Sequence, residues 1–95
     1  MIIMIQTFRC DDTQALYSGQ SPKRFQAIKE MAIRKLQMLD AAHELRDLWS
    51  PPGNRLEKLS GDRVGQYSIR INGQWRICFV WTDRGARDVE IIDYH

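Results

Sequence analysis

The dipeptide Asn72-Gly73, set between two alternating stretches, constrains the fold more than any other part of the chain. Before it, Tyr67-Ser68-Ile69-Arg70-Ile71 places Tyr67, Ile69 and Ile71 on one face of a strand. After it, Trp75-Arg76-Ile77-Cys78-Phe79 places Trp75, Ile77 and Phe79 on one face. Asn-Gly between two such runs is a strong hairpin signal. A plain two-residue turn, however, sets Ile69 opposite Arg76 and Arg70 opposite Trp75, mixing core and solvent faces. Because a slip of one residue flips every side chain, the pattern requires one extra residue, as a bulge or a longer loop. The expected register then pairs Ile71 with Trp75, Ile69 with Ile77 and Tyr67 with Phe79 on the core face. Ser68 meets Cys78, and Arg70 meets Arg76, on the other.

Two like charges directly opposite cost a few tenths of a kcal/mol to ~1 kcal/mol. Two readings are open for Arg70 and Arg76: long side chains splaying apart into water, or a seat for an anion such as a phosphate. The last strand bears on the choice. If Val89 and Ile91 face the core, then Glu90, Ile92 and Tyr94 share the arginine face, and Asp93 points inward at the strand end. Asp93-Tyr94-His95 brings together an acid, a phenol and an imidazole, each able to move or orient a proton. The plain alternative is a solvated tail. Upstream, Arg55, Lys58 and Arg63 either follow a polynucleotide backbone or keep an edge strand soluble.

The rest of the chain supplies the scaffold. Residues 2–8 read as a strand, and Asp11 or Asp12 is placed to cap a short helix through Leu16, ended by Gly19. Ser21-Pro22 reads as an N-cap and first helical residue, followed by a stripe of Phe25, Ile28, Ala32, Leu36 and Leu39 that should pack on a sheet. Lys23, Arg24, Lys29, Arg34 and Lys35 on that helix form a solvated face or a partner surface. Asp40 is expected to start a further turn through Leu45, Leu48 and Trp49, which Pro51-Pro52-Gly53-Asn54 ends. Strands are expected at 55–59, 66–72, 74–81 and 88–94.

Ninety-five residues, 43% apolar and 27% charged, suit one domain over residues 1–95 with one core. The net charge of +2 is mild, so any affinity for nucleic acid must come from local placement. Cys10, Cys78, His43 and His95 show no zinc-ligand spacing, so no metal or other cofactor is expected. The thiols read as small buried hydrophobes in a reducing compartment. Met1 to Ile5 is too short for a secretory core or a membrane span, and the expected location is cytoplasmic, without membrane contact.

Four segments taken in order carry a family resemblance: Leu59-Ser60-Gly61-Asp62-Arg63, Tyr67-Ser68-Ile69-Arg70-Ile71-Asn72, Trp75-Arg76-Ile77-Cys78-Phe79 and Asp93-Tyr94-His95. With Met4-Ile5-Gln6-Thr7-Phe8 as a start, the chain resembles the HigB branch of the RelE/ParE superfamily of bacterial toxins over essentially its whole length. The resemblance implies an α+β fold of β-α-α-β-β-β order, a twisted antiparallel sheet with the N-terminal helices on one face. It implies a metal-independent endoribonuclease that cuts mRNA in the ribosomal A site. It also implies an antitoxin partner with a helix-turn-helix domain, through which alone operator DNA is reached. By position, Arg76 would stabilise the scissile phosphate, while Asp93, Tyr94 and His95 would form the C-terminal part of the site. Arg55, Lys58, Arg63 and Arg70 would hold RNA.

The chain departs from the branch at Glu57 and Ser60, where some members carry a histidine and a lysine. Glu57 becomes a candidate base, and Arg55 or Lys58 a source of the missing charge. Alanine at Arg76 or Tyr94 is expected to abolish cutting with the fold intact. Two other readings stand beside the nuclease. One is a toxin of the ParE kind that binds DNA gyrase without chemistry of its own; the other is an RNA-binding or interaction module on the same scaffold.

Overall fold

The computed structural model describes residues 5–93. Two α-helices, α1 (Asp11–Tyr17) and α2 (Lys29–Ala41), precede four strands: β1 (Glu57–Lys58), β2 (Tyr67–Arg70), β3 (Trp75–Thr82) and β4 (Gly85–Asp93). The strands form one antiparallel sheet in sequence order, β1-β2-β3-β4. This is the expected α+β architecture: the four strands correspond to the four segments expected after the helices, one more than the β-α-α-β-β-β order counts, the two-residue β1 being the added edge. Of the first expected strand, residues 2–4 lie outside the described residues. Its remainder runs beside β4, where Phe8 makes a parallel bridge to Val89.

The hairpin has the register that the alternation demands. Tyr67 pairs with Phe79, Ser68 with Cys78, Ile69 with Ile77 and Arg70 with Arg76. The extra residue enlarges the loop: the N–H groups of Ile71 (2.9 Å) and Asn72 (3.3 Å) both donate to the Trp75 carbonyl. Asn72 serves as a side-chain acceptor, its Oδ1 receiving the N–H of Gln74 at 2.8 Å and of Trp75 at 2.9 Å. An Asx turn thus replaces the primed turn that Asn-Gly suggests.

The apolar stripe also holds. Phe25, Ile28, Ala32, Leu36 and Leu39 are buried against Ile69, Ile77, Phe79, Val89 and Ile91, and Phe25 meets Trp75 edge-on at 5.5 Å. Its backbone is not one α-helix, however. Lys23–Ile28 is a 3-10 helix that leads into α2, and Pro22, not Ser21, takes the N-cap position, without a side-chain cap. Ser21 Oγ instead accepts a hydrogen bond from Lys29 Nζ. Similarly, Cys10 precedes α1, with Asp11 and Asp12 inside its first turn. Carboxylates there complement the helix dipole without capping it.

Asp40 lies in the last turn of α2 and starts nothing; the next helical segment is the 3-10 turn Leu45–Trp49, closed by a Glu44–Asp47 capping box. The Asp40 carboxylate has a tertiary use. Oδ1 accepts the N–H of Ile5 at 2.7 Å and Oδ2 accepts the Tyr17 hydroxyl at 2.8 Å, tying the N-terminal segment and α1 to α2.

β4 carries a bulge that the sequence does not announce. Cys78 pairs with Glu90 but Val80 pairs with Arg87, so one extra residue is accommodated, and Asp88 has φ 53. The segment through Thr7 fits this irregular edge: Thr7 Oγ1 accepts the N–H of Asp88 at 2.9 Å, and the Thr7 carbonyl accepts that of Val89 at 3.1 Å. Further along, the buried Thr13 of α1 accepts the Ile91 N–H at 3.0 Å. The edge of β4 is therefore partly covered along its length, which steadies the strand that leads to Asp93. Among the described residues, no helix is long and apolar enough to cross a membrane.

Candidate active site

The helix-free face of the sheet carries two rows of side chains. β-pairing aligns Glu57, Ser68, Cys78 and Glu90 across all four strands, and Arg70, Arg76 and Ile92 across three. The first row is buried at its centre: Ser68 and Cys78 have no exposed surface. Burial pushes the Cys78 thiol upward, with the charges of Arg63, Glu90, Arg76 and Glu57 around it acting in opposing directions.

Arg76 is built into this floor and is only 7% exposed. Its Nε donates to Ser68 Oγ at 2.8 Å, and its Nη2 donates to the Arg55 carbonyl at 2.7 Å. The splaying reading therefore holds only in part. Arg70 leans over the hairpin, its Nη2 within 3.6 Å of where a Cβ on Gly73 would lie, but Arg76 turns inward to neutral acceptors. The like-charge conflict is relieved by divergence, and the two guanidiniums do not converge on a shared seat.

Beside Arg76 opens a groove of about 470 Å³ lined by Glu57, Lys58, Leu59, Ser60, Arg63, Ile92 and Asp93. The structure thus brings together Glu57, Lys58, Arg63 and Asp93 of the sequence-predicted residues, while Arg76 is not among the lining residues and adjoins the groove through its strand partner Ile92. It does not bring in Arg70. Arg55 reaches the site through its carbonyl, from a left-handed backbone at φ 45 and ψ 54. Arg63 is engaged within the protein: Nη1 lies 3.3 Å from Glu90 Oε1 and 3.1 Å from Gln66 Oε1. Asp93 is exposed at the strand end, not directed inward, and Oδ2 accepts a hydrogen bond from Gln74 Nε2 at 3.1 Å. By register it shares the face of Trp75 that alternation assigns to it, but it lies beyond the last core pair and so meets solvent. Tyr94 and His95 lie outside the described residues.

Sequence reasoning missed Ser68, Asn54 and Glu90 as supports of the site. Ser68 carried a signal, since it precedes Arg70 by two on the arginine face, within reach of a guanidinium on the next strand. Asn54 carried none beyond its place in a turn. Among the described residues, no group of three or more His, Cys, Asp or Glu side chains is arranged to hold a metal ion.

A protein of Vibrio cholerae named Toxin HigB-1 is 49% identical over 57 residues, 60% of this chain and 60% of that one. Endoribonuclease HigB of Proteus vulgaris is 36% identical over 61 residues, 64% of this chain and 65% of that one. The matched stretches span somewhat under two thirds of these curated relatives. Among solved structures, the YoeB-YefM complex from Staphylococcus aureus contains a chain similar in fold, with TM-score 0.56 and 21% identity, covering 96% of this chain and 97% of that one. The family model for the RelE-like toxin of type II toxin–antitoxin system HigB matches residues 6–95, and the chain belongs to that family.

Proposed function

We propose that this protein is an endoribonuclease toxin that cuts mRNA in the ribosomal A site and is held inactive by an antitoxin bearing a helix-turn-helix domain. The observation that carries the reading is the fixed guanidinium of Arg76, held by Ser68 Oγ and the Arg55 carbonyl on the strand position paired with Ile92, which lines the groove together with Glu57 and Asp93. A guanidinium is planar and always charged, so it suits the equatorial oxygens of a phosphorane without any change of protonation. Holding it in place beforehand removes the reorganisation that a free side chain would require.

The reaction needs three things besides that charge: removal of the ribose 2′-OH proton, in-line attack on the adjacent phosphorus, and protonation of the departing 5′-oxygen. Its products are a 2′,3′-cyclic phosphate and a 5′-hydroxyl. Glu57, Asp93, Tyr94 and His95 are the groups available for the two proton transfers. All are protein groups, so the proposed step is metal-independent. Lys58 on the groove wall, with the Arg55 and Arg70 side chains outside it, supplies charge toward the RNA backbone and the ribosome. Arg63, paired with Glu90, shapes the wall in place of its expected contact with RNA.

The test is a brief induction in cells, followed by mapping of RNA 5′ ends, with the protein encoded by the neighbouring open reading frame co-expressed in a second culture. The expected result is cutting confined to translated transcripts, 5′-hydroxyl ends, and relief by the neighbour. Growth arrest with intact transcripts and broken DNA would assign the protein to gyrase poisoning instead. Intact transcripts without toxicity would leave an interaction module.

A further inference from the structure

The acceptor for Arg76 Nη2 is supplied by a loop, and the loop's position is set from the other side of the molecule. Asn54 is fully buried, and a buried amide must find hydrogen-bond partners. Its Nδ2 donates to the Leu48 carbonyl at 3.1 Å and to Met38 Sδ at 3.0 Å, while Oδ1 accepts from Lys35 Nζ. Both Lys35 and Met38 belong to α2. The amide therefore fastens the loop to the helix that packs on the opposite face of the sheet. The Asn54 N–H donates to Pro51 at 2.9 Å and the Arg55 N–H to Pro52 at 3.1 Å, closing a tight turn.

That turn ends on Arg55 at φ 45 and ψ 54. A side-chain-bearing residue enters this region at a cost, and the cost here has a visible result. It swings the Arg55 carbonyl toward Arg76, where an extended backbone would aim it elsewhere. Ser68 holds the guanidinium through Oγ at 2.8 Å and, with a longer bond from Nη2 at 3.4 Å, through its carbonyl. The shorter Nη2 bond to the Arg55 carbonyl, at 2.7 Å, adds a hold from the loop.

We propose that Asn54 and the left-handed backbone of Arg55 are positioning residues for Arg76, with Asn54 anchoring the loop to α2 and Arg55 aiming its carbonyl at Nη2. The consequence for cutting rests on the endonuclease reading; the consequence for the guanidinium does not.

Arg55→Gly, Arg55→Ala and Arg55→Val all delete the same cation, but they differ in tolerance of positive φ, with glycine freest and valine most restricted. The measurements are the ¹⁵N–¹H guanidinium resonances of Arg76 and single-turnover cutting on programmed ribosomes across toxin concentration. Loss of the Arg55 charge should raise the half-saturating concentration similarly in all three. The Gly variant should keep slowly rotating Arg76 Nη protons and a maximal rate within about threefold of wild type, whereas the Val variant should lose both, with the rate falling about 30- to 100-fold. Where the Val variant does not fold, the Gly and Ala pair decides in the same sense.

Lys35→Met, which removes the ammonium from Asn54 Oδ1, should broaden the Arg76 resonances. Identical Arg76 resonances and equal maximal rates in Gly and Ala or Val variants would overturn the aiming role. A wild-type spectrum in Lys35→Met would overturn the anchor. Failure of the wild-type protein to cut RNA would remove the endonuclease reading while the resonances still decide the positioning.

Discussion

Arg76 joins a structural role to the chemistry proposed for it. It was marked in the sequence by pairing with Arg70, and the register proved right, but alternation cannot say where a long side chain ends. The partners that turned it inward are a serine two residues before Arg70 and a backbone carbonyl twenty-one residues before Arg76, and the second is invisible to any pattern. The alanine expected to spare the fold therefore carries a stability cost, to be measured beside the cutting. Arg76→Ala leaves the Arg55 carbonyl and Ser68 without this donor, at about 1–3 kcal/mol for buried polar groups left unsatisfied. Arg76→Gln keeps an N–H donor and is the cleaner probe: we expect cutting to fall at least about 100-fold with less loss of stability, measured by single-turnover assay beside thermal unfolding. Ser68→Ala removes the Nε acceptor and should cost about 1–3 kcal/mol, or roughly 4–8 °C per kcal/mol in a domain of this size. A Ser68→Ala variant with unchanged melting and unchanged cutting would mean that the guanidinium is not held from that side.

Elements were legible where one period dominates. The stripe from Phe25 to Leu39 and the alternation of β2 and β3 are properties of consecutive residues, so the packed faces followed directly. The irregular parts were not legible: the 3-10 entry to α2, the Asp88 bulge, and the turn that aims Arg55 each answer to a partner distant in sequence. Asp40 is the clearest case, expected at a helix start and found binding two other elements to α2. Its neighbour Tyr17 makes the junction pH-dependent. Partial burial, then the hydrogen bond to Asp40 and its charge, push the phenol from 10.0 up to about 12. A folded-state value above the unfolded one means stability that is present below pH 10 and lost as pH rises toward 12, because the unfolded chain gives up the proton first. Denaturant titrations should therefore show a decline across that window in the wild type. Tyr17→Phe should lose about 1–2 kcal/mol near neutrality and show a shallower alkaline decline. An equally steep decline in Tyr17→Phe would place the alkaline sensitivity elsewhere.

At the scale of the whole molecule, the sheet is covered twice by different means. Helices and their apolar stripe seal one face, and on the other a polar loop, tied to α2 through Asn54, reaches Arg76 through the Arg55 carbonyl. Cys78 sits at the centre of that second face with no exposed surface, its thiol pushed up by burial, while Cys10 is half-exposed near the start of α1. Since the thiolate is the reacting species, burial protects Cys78 both sterically and by proton affinity. In the native protein at pH 8, alkylation should stop at Cys10, and Cys78 should react only through an opening of the sheet. If the two faces form one cooperative unit, the rate at Cys78 should track global stability, so that each 1.4 kcal/mol lost in Ser68→Ala or Tyr17→Phe raises it about tenfold. Tyr17 lies on the helical side and Ser68 on the helix-free side, so the pair tests the coupling directly. If only Ser68→Ala accelerates labelling, the helix-free face opens on its own, and the loop carrying Arg55 is the part that lifts.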